Sequence, residues 1–379
     1  MAERQPPVSN FYIACRNNDI DTVKSLLETM ITDEINKLEP NGSTALHAAS
    51  YYGHHEIIEL LLMHGASRSI KNKYNYIPYD EGKTDTIKVL LSRDDNKDRF
   101  VGDSNNSIEW IRIGDKIDQE AKAIRKMLKA YSNQNKNKKK KNLINMIDLG
   151  SYKDIDKIKR YFDQANELND PTYIIRAYTE ETEFYQRLNR ELARVHQLNL
   201  TDENQRQLLD FLHLICCHSD LRKYDFQDEI YRGMNMDVND LKQYEIGAKI
   251  MTKTLLSTSK DRRIAEKFAT KTGISTGGTT IKKACICKYK IRKAHTALAI
   301  QELSVYPQEQ EVLIVPYSAF QVVQIQEIRS DYGVITEIEL RQCKSHVETH
   351  TAIAVGGGLF AAAMGSVVGL FLDNEDDEN

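Results

Sequence analysis

Along roughly the first ninety residues, apolar positions form short helical stripes that recur. Val23, Leu26 and Leu27 lie in "FYIACRNNDIDTVKSLLETM", Phe11 to Met30. They recur as Ile57, Leu60 and Leu61 in "TALHAASYYGHHEIIELLLMHGA", Thr44 to Ala66, at an offset of about 34 residues. A third, degenerate copy, "YIPYDEGKTDTIKVLL", supplies Ile87, Leu90 and Leu91. Such a unit cannot bury its apolar face alone, so residues 1–93 read as about three stacked helical repeats. Residues 94–170 turn polar and read as a helical, lysine-rich linker. Within it "DQEAKAIRKMLKAY" sets Ala121, Ile124, Met127 and Leu128 on one helical stripe, and "SIEWIRI" alternates like a short strand around Trp110. From 171 to 345 the pattern changes. "ETEFYQRLNRELARVHQL", "ENQRQLLDFLHLICCHS" and later "KDRRIAEKFATK" read as helices, the last with Asp261 as a first-turn or cap acid. "DEIYRG", "TLLSTS", "KACICKYKI", "AIQELSVY", "EVLIVPYSAFQVVQIQEI" and "VITEIEL" read as strands. Leading helices followed by an antiparallel-looking strand set predict an α+β domain.

Composition narrows the class. The 379 residues are 41% hydrophobic and 28% charged with a net charge of -3, ordinary for a soluble multidomain protein. Nothing in that balance calls for nucleic acid. Six cysteines without zinc spacing read as reduced, mostly buried thiols. "MAERQPPVSN" has no apolar segment, so no secretory signal is expected. By contrast Thr351 to Leu372, "TAIAVGGGLFAAAMGSVVGLFL", carries no charge and is long enough to span a bilayer. Gly357, Ala361, Gly365 and Gly369 give it a small-xxx-small stripe. It is a candidate transmembrane helix, and a tail anchor leaving the bulk of the chain in the cytosol is the localisation it suggests; a buried hairpin is the alternative. Lys138 to Lys141 could serve nuclear import or an anionic membrane, though a solvated loop is the plainer reading.

Three short pieces carry chemistry. Arg232 ends the apolar strand of "IYRGM", followed by Gly233; Ser257 to Ser259 end "TLLSTS"; Glu309 and Glu311 precede "VLIV". An arginine fork grips phosphate, a hydroxyl orients a carboxylate, and a carboxylate stabilises a ribosyl cation. Singly each is ordinary surface or turn chemistry; order and spacing single them out. "TGISTGGTT", Thr272 to Thr280, lacks the lysine of a phosphate loop, and there is no dinucleotide fingerprint, so no doubly wound nucleotide site is expected. His47, His54 and His55 belong to the repeats, and no metal site is expected.

"TALHAASYYGHH" resembles the ankyrin pattern. "YRG", then "STS", then E-x-E before "VLI" resembles the R-S-E signature of the arginine-specific mono-ADP-ribosyltransferases. "YTEETEFYQRLNRELAR", Tyr178 to Arg194, is similar to that family's leading-helix motif. The resemblance implies a mixed or antiparallel split β-sandwich behind leading helices, with NAD as co-substrate. It implies that Arg232 holds the NAD phosphate, that the backbone of Gly233 faces the nicotinamide amide, and that Ser257 positions Glu311. Glu311 would bind the ribose 2′-hydroxyl and stabilise the oxocarbenium-like centre. Glu309 would orient the acceptor guanidinium, Tyr306 would stack on it, and Tyr178 would line the NAD cleft. The implied activity is transfer of ADP-ribose to arginines of proteins, with the ankyrin repeats binding a protein partner. An NAD glycohydrolase and a non-enzymatic ankyrin adaptor are the alternatives.

Overall fold

The computed structural model describes residues 7–92, 110–112, 117–135, 143–152, 154–180, 182–195, 205–270 and 282–343. The Lys138–Lys141 run, the Thr272–Thr280 stretch and the apolar segment 351–372 lie outside the described residues. Among the described residues no helix is long and apolar enough to cross a membrane. The chain divides into one unit of Met1–Lys97 with Gln301–Gln310 and a second of Asp98–Ile300 with Glu311–Asn379.

The first unit holds helices α1 (Asn10–Asn17), α2 (Ile20–Leu27), α3 (Thr32–Ile35), α4 (Ala45–Tyr52), α5 (His55–Met63) and α6 (Asp85–Leu91). Positions i and i+4 share a helix face. Val23 and Leu27, Ile57 and Leu61, and Ile87 and Leu91 are accordingly the buried pairs, while Leu26, Leu60 and Leu90 flank the core half-buried. Side-chain caps start the helices: Ser9 accepts from the Tyr12 amide, Asp19 from Thr22, Thr44 from His47 and Thr84 from Ile87. Gly53 ends α4 with φ of 80°, a left-handed conformation that glycine adopts without strain. The buried His47 ring places Nε2 3.0 Å from the Tyr76 carbonyl and Nδ1 2.8 Å from the Thr44 hydroxyl. A carbonyl only accepts, so Nε2 carries the proton. Burial pulls the His47 pKa below the usual histidine value, partly offset by that carbonyl.

The second unit runs β1 (Trp110–Arg112), α7 (Ile117–Asn135), α8 (Ile155–Leu168), α9 (Thr172–Thr179), α10 (Phe184–Arg194), α11 (Arg206–Cys217), β2 (Glu229–Asp237), α12 (Val238–Lys242), β3 (Lys249–Thr252), β4 (Leu256–Ser259), α13 (Arg262–Thr270), β5 (Lys282–Lys290), β6 (Ala297–Ala299), β7 (Glu311–Ile314), β8 (Ala319–Ser330) and β9 (Gly333–Gln342). The strands form a nine-stranded sheet in the order β1-β3-β8-β9-β5-β2-β4-β7-β6. Every pairing is antiparallel except β5 with β9. This is the α+β architecture that the strand set predicts. Alternation along β5 sends Cys285, Cys287 and Tyr289 into the main core and Ile286 to the opposite face, against Ala269 and Ile335. β2 meets β4 at the single pair Tyr231–Ser259, so the sheet is split there into two ladders.

Three expectations are corrected. The stretch 94–170 is more than a linker: Trp110 pairs with Thr252, stacks edge-on against Tyr244 and donates its Nε1 hydrogen to the Tyr244 hydroxyl at 2.7 Å. In the same stretch α7 is tied to α11, where Tyr131 donates to Asp210 at 2.9 Å. Of the expected strand "AIQELSVY" only Ala299, the last residue of β6, is strand, and "EVLIVPYSAFQVVQIQEI" breaks into β7 and β8 at Tyr317, whose φ of 58° is left-handed. Strand β3 and helix α12 carry too short a period to be read from sequence. All six cysteines are free. Burial pushes the Cys15 thiol up to about 12 and Cys285 to about 11, which leaves them unreactive near neutrality.

Candidate active site

Strands β2, β4 and β7 lie side by side at the split; β2 supplies the sequence-predicted Arg232 and Gly233, β4 Ser257 and β7 Glu311. On β2, Ile230, Arg232, Met234 and Met236 point the same way, into the apolar core. A buried guanidinium is costly unless its donors are satisfied. Arg232 donates from one terminal nitrogen to the Ser257 main-chain oxygen at 2.8 Å. It therefore stitches β2 to β4 just where their ladder stops.

Gly233 faces the other way, toward α13. A Cβ there would lie 1.9 Å from the Ala265 carbonyl oxygen and 2.8 Å from the Ala269 nitrogen. The close approach that needs glycine is thus that of a helix backbone. Packing against α13 is by itself a sufficient cause for glycine at this position.

On β4, Ser257 lies opposite Leu313 and Ser259 opposite Glu311. Directly opposed residues share a face, so Ser257, Ser259 and Glu311 lie on one side of the β4–β7 ladder. Thr258 turns to the other side, donating its hydroxyl to the Val312 carbonyl at 2.6 Å. Ser257 and Glu311 are diagonal neighbours, and both are buried. The Ser257 hydroxyl has no hydrogen-bond partner among the described residues. The orienting bond to Glu311 implied by the resemblance is not made; a donor is held buried and available beside the carboxylate. By strand alternation Arg232 belongs to the opposite face, and it reaches the pair's strand through the Ser257 main chain.

Only Gln310 stands between Glu309 and Glu311, but it is not a strand residue. Glu309 closes a 3-10 turn, Pro307–Glu309, and Gln310 follows with φ of 48°. That left-handed step breaks the period-2 relation, so the two carboxylates do not share a strand face. Glu309 and Tyr306 are buried in the first unit, with the Arg68 guanidinium carbon 5.2 Å from the Tyr306 ring centroid.

Tyr178 is buried on α9. The Asn189 amide donates to the Tyr178 hydroxyl at 3.0 Å and to the Leu255 carbonyl at 3.4 Å, and Tyr178 itself reaches that carbonyl at 3.5 Å. Tyr185 packs edge-on against Tyr178 at 6.2 Å. The leading-helix motif thus converges on the residue preceding β4, and it anchors the strand bearing Ser257. Asn189 receives no role from sequence alone; its signal is its place in the "LN" of the motif. Among the described residues no group of three or more His, Cys, Asp or Glu is placed to hold a metal ion.

Comparison with known proteins bears on this arrangement. Residues 11–101 match the model for ankyrin repeats, in three copies. A curated relative, the probable 26S proteasome regulatory subunit p28 of Saccharomyces cerevisiae, is 38% identical over 68 residues, 18% of this chain and 30% of that protein's length. Among solved structures, Vis, an ADP-ribosyltransferase from Vibrio splendidus, matches at 20% identity over 63% of this chain and 90% of that one, with a TM-score of 0.35. Exoenzyme S from Pseudomonas aeruginosa, solved with carba-NAD and human 14-3-3 protein beta, matches at 16% identity over 65% and 96%, TM-score 0.29. Plx2a from Paenibacillus larvae, an ADP-ribosyltransferase toxin, matches at 16% over 50% and 97%, TM-score 0.31. Residues 115–347, more than half of the chain, match the model described as NAD:arginine ADP-ribosyltransferase. The chain belongs to that family of NAD-dependent ADP-ribosyltransferases, with ankyrin repeats ahead of the matched domain.

Proposed function

We propose that the transferase domain moves ADP-ribose from NAD to arginine side chains of proteins. The observation that carries this reading is the β4–β7 face, where a buried carboxylate, Glu311, lies diagonal to the unpartnered hydroxyl of Ser257. A carboxylate so placed accepts from a ribose hydroxyl and stabilises positive charge as the bond from C1′ to nicotinamide breaks. Nicotinamide leaves with the bonding electrons. A guanidinium nitrogen of the acceptor then bonds to C1′ and gives up a proton. Free guanidinium is fully protonated and a poor nucleophile, so a second carboxylate is required to orient it, and Glu309 takes that role. Arg232 holds β2 to β4 and Tyr178 helps anchor the start of β4, so both position the NAD-side pair through the β4 backbone; Tyr306 and Glu309 serve the acceptor. The ankyrin repeats recruit the protein to be modified.

The test is incubation with labelled NAD and an arginine-bearing protein acceptor. Glu309→Gln is expected to lose label on the acceptor while nicotinamide release continues; Glu311→Gln is expected to lose both. Well-folded protein that releases no nicotinamide would end both enzymatic readings. One observation favours hydrolysis as a second reading: Tyr306 is wholly buried, which leaves water as the easier acceptor.

A further inference from the structure

The segment Gln301–Gln310 packs within the ankyrin unit. Several contacts hold it there. Lys71 pairs with Glu302 at 3.5 Å, Gln308 donates to the Leu91 carbonyl at 3.5 Å, and Arg68 lies over the Tyr306 ring at 5.2 Å. Leu303, Tyr306 and Pro307 are buried in this packing. Arg68 Nε is buried and has no hydrogen-bond partner in the described structure. The guanidinium is therefore held at that nitrogen by the aromatic face and by packing. A planar guanidinium over a tyrosine is also the geometry by which an aromatic side chain recognises an arginine.

We propose that Arg68 is an internal occupant of the acceptor-recognition face of this loop. It takes the place over Tyr306 that an incoming arginine would take, because one ring face does not hold two guanidinium groups. The ankyrin unit then sets access for guanidino acceptors and leaves cleavage of NAD untouched. This rests on reading Tyr306 and Glu309 as acceptor-side residues. A ligand of the repeats that draws Arg68 away would open the loop to substrate, so recruitment and unmasking would be one event.

The experiment uses the full chain, with agmatine as a small guanidino acceptor. Arg68→Met keeps bulk and removes the cation. It is expected to lower the agmatine KM on the order of tenfold, with kcat and the rate of nicotinamide release without acceptor unchanged. Arg68→Lys, which restores a cation over the ring, is expected to fall between. An agmatine KM that stays the same or rises in Arg68→Met, with nicotinamide release intact, overturns the proposal and leaves the transferase reading standing. No transfer to agmatine by either protein, with nicotinamide still released, removes the arginine reading and this proposal with it.

A separate observation lies within the transferase unit. A cavity of 670 Å³ is lined by Lys122, Arg125, Lys126 and Lys129 of α7 and by Arg222 and Lys293, and among the described residues no carboxylate lines it. The α7 residues follow helical spacing, so they share one face. Arg125 donates to the Tyr317 carbonyl at 3.2 Å, to the Ser318 hydroxyl at 2.7 Å, and to the His295 and Pro316 carbonyls. These oxygens satisfy its hydrogens without cancelling its charge. The nearby Asp225 is engaged by His295 at 2.6 Å and by Arg222 at 3.8 Å. Cys216 and Tyr317 add an apolar wall. Cations gathered along one wall attract an anion placed between them, and the volume suits a small ligand.

We infer that this cavity binds a phosphorylated small molecule of nucleotide size, distinct from the NAD substrate. Calorimetry of the full chain with ATP and with adenosine tests it. ATP should bind, adenosine should not, and saturating NAD should leave ATP affinity unchanged. Lys122→Gln with Lys126→Gln and Lys129→Gln should weaken ATP at least about tenfold while nicotinamide release persists. Absence of ATP binding, displacement of ATP by NAD, or full affinity in the triple variant refutes the site.

Discussion

At the scale of single residues, Gly233 and Asn189 hold the packing behind the β4–β7 face. Gly233→Ala forces a methyl against the backbone of α13, where 1.9 Å separates the ideal Cβ from the Ala265 oxygen. Overpacking of this kind costs about 1–3 kcal/mol or more, and a lowered denaturation midpoint checks it. Asn189→Leu removes two donations, to Tyr178 and to the Leu255 carbonyl. A loss of about 1–3 kcal/mol is expected, together with slower nicotinamide release, because the end of β4 loses its anchor. The residues legible in the sequence were those whose type and order are informative together: an arginine, a serine run and paired glutamates at strand ends. Asn189 escaped because a side chain bonding a distant carbonyl leaves no periodic trace. Gly233 was legible as a place of close approach, while the approaching group, a helix of the same chain, was not.

At the scale of elements, the ankyrin helices read well because their apolar stripe has a period and a repeat. Short strands read poorly, since four residues such as Lys249–Thr252 give too few alternations to distinguish from turn. The split between β2 and β4 was invisible: pairing register is a property of two strands. Two predictions belong here. Thr44→Ala removes the α4 cap and should cost the ankyrin unit about 1 kcal/mol, read from its thermal transition. His47 is buried with its pKa lowered, so the folded unit binds fewer protons than the unfolded chain. Its contribution to stability is whole above the unfolded value of about 6.5 and is lost as pH falls through the lowered folded value. Melting of the ankyrin unit at pH 7.5 and at pH 5 should show this fall, and His47→Gln should flatten it.

At the scale of the whole molecule, the sequence separates repeats from transferase, but it does not show that Gln301–Gln310 leaves one unit for the other. That segment's composition is strand-like; its placement depends on Arg68, Lys71 and Leu91, more than two hundred residues earlier. The uncharged run 351–372 carries its own prediction, made from composition alone. The full chain should sediment with membranes, and a form ending at Val347 should stay in the supernatant; equal partitioning of the two removes the anchor.

The ten-residue excursion also gives the polypeptide a history. During synthesis the ankyrin helices emerge and fold first, as N-terminal domains do. Their docking surface then waits while the helices and first strands of the transferase are made. Only when Gln301–Gln310 leaves the ribosome is that surface met, and only after it can β7 bring Glu311 into place beside β4. Closing so long a loop adds little entropy beyond a shorter one, but it comes late. The repeats are in this sense a template completed before the thing it shapes, and a nascent chain halted short of Gln310 would hold folded ankyrin helices and an unfinished enzyme.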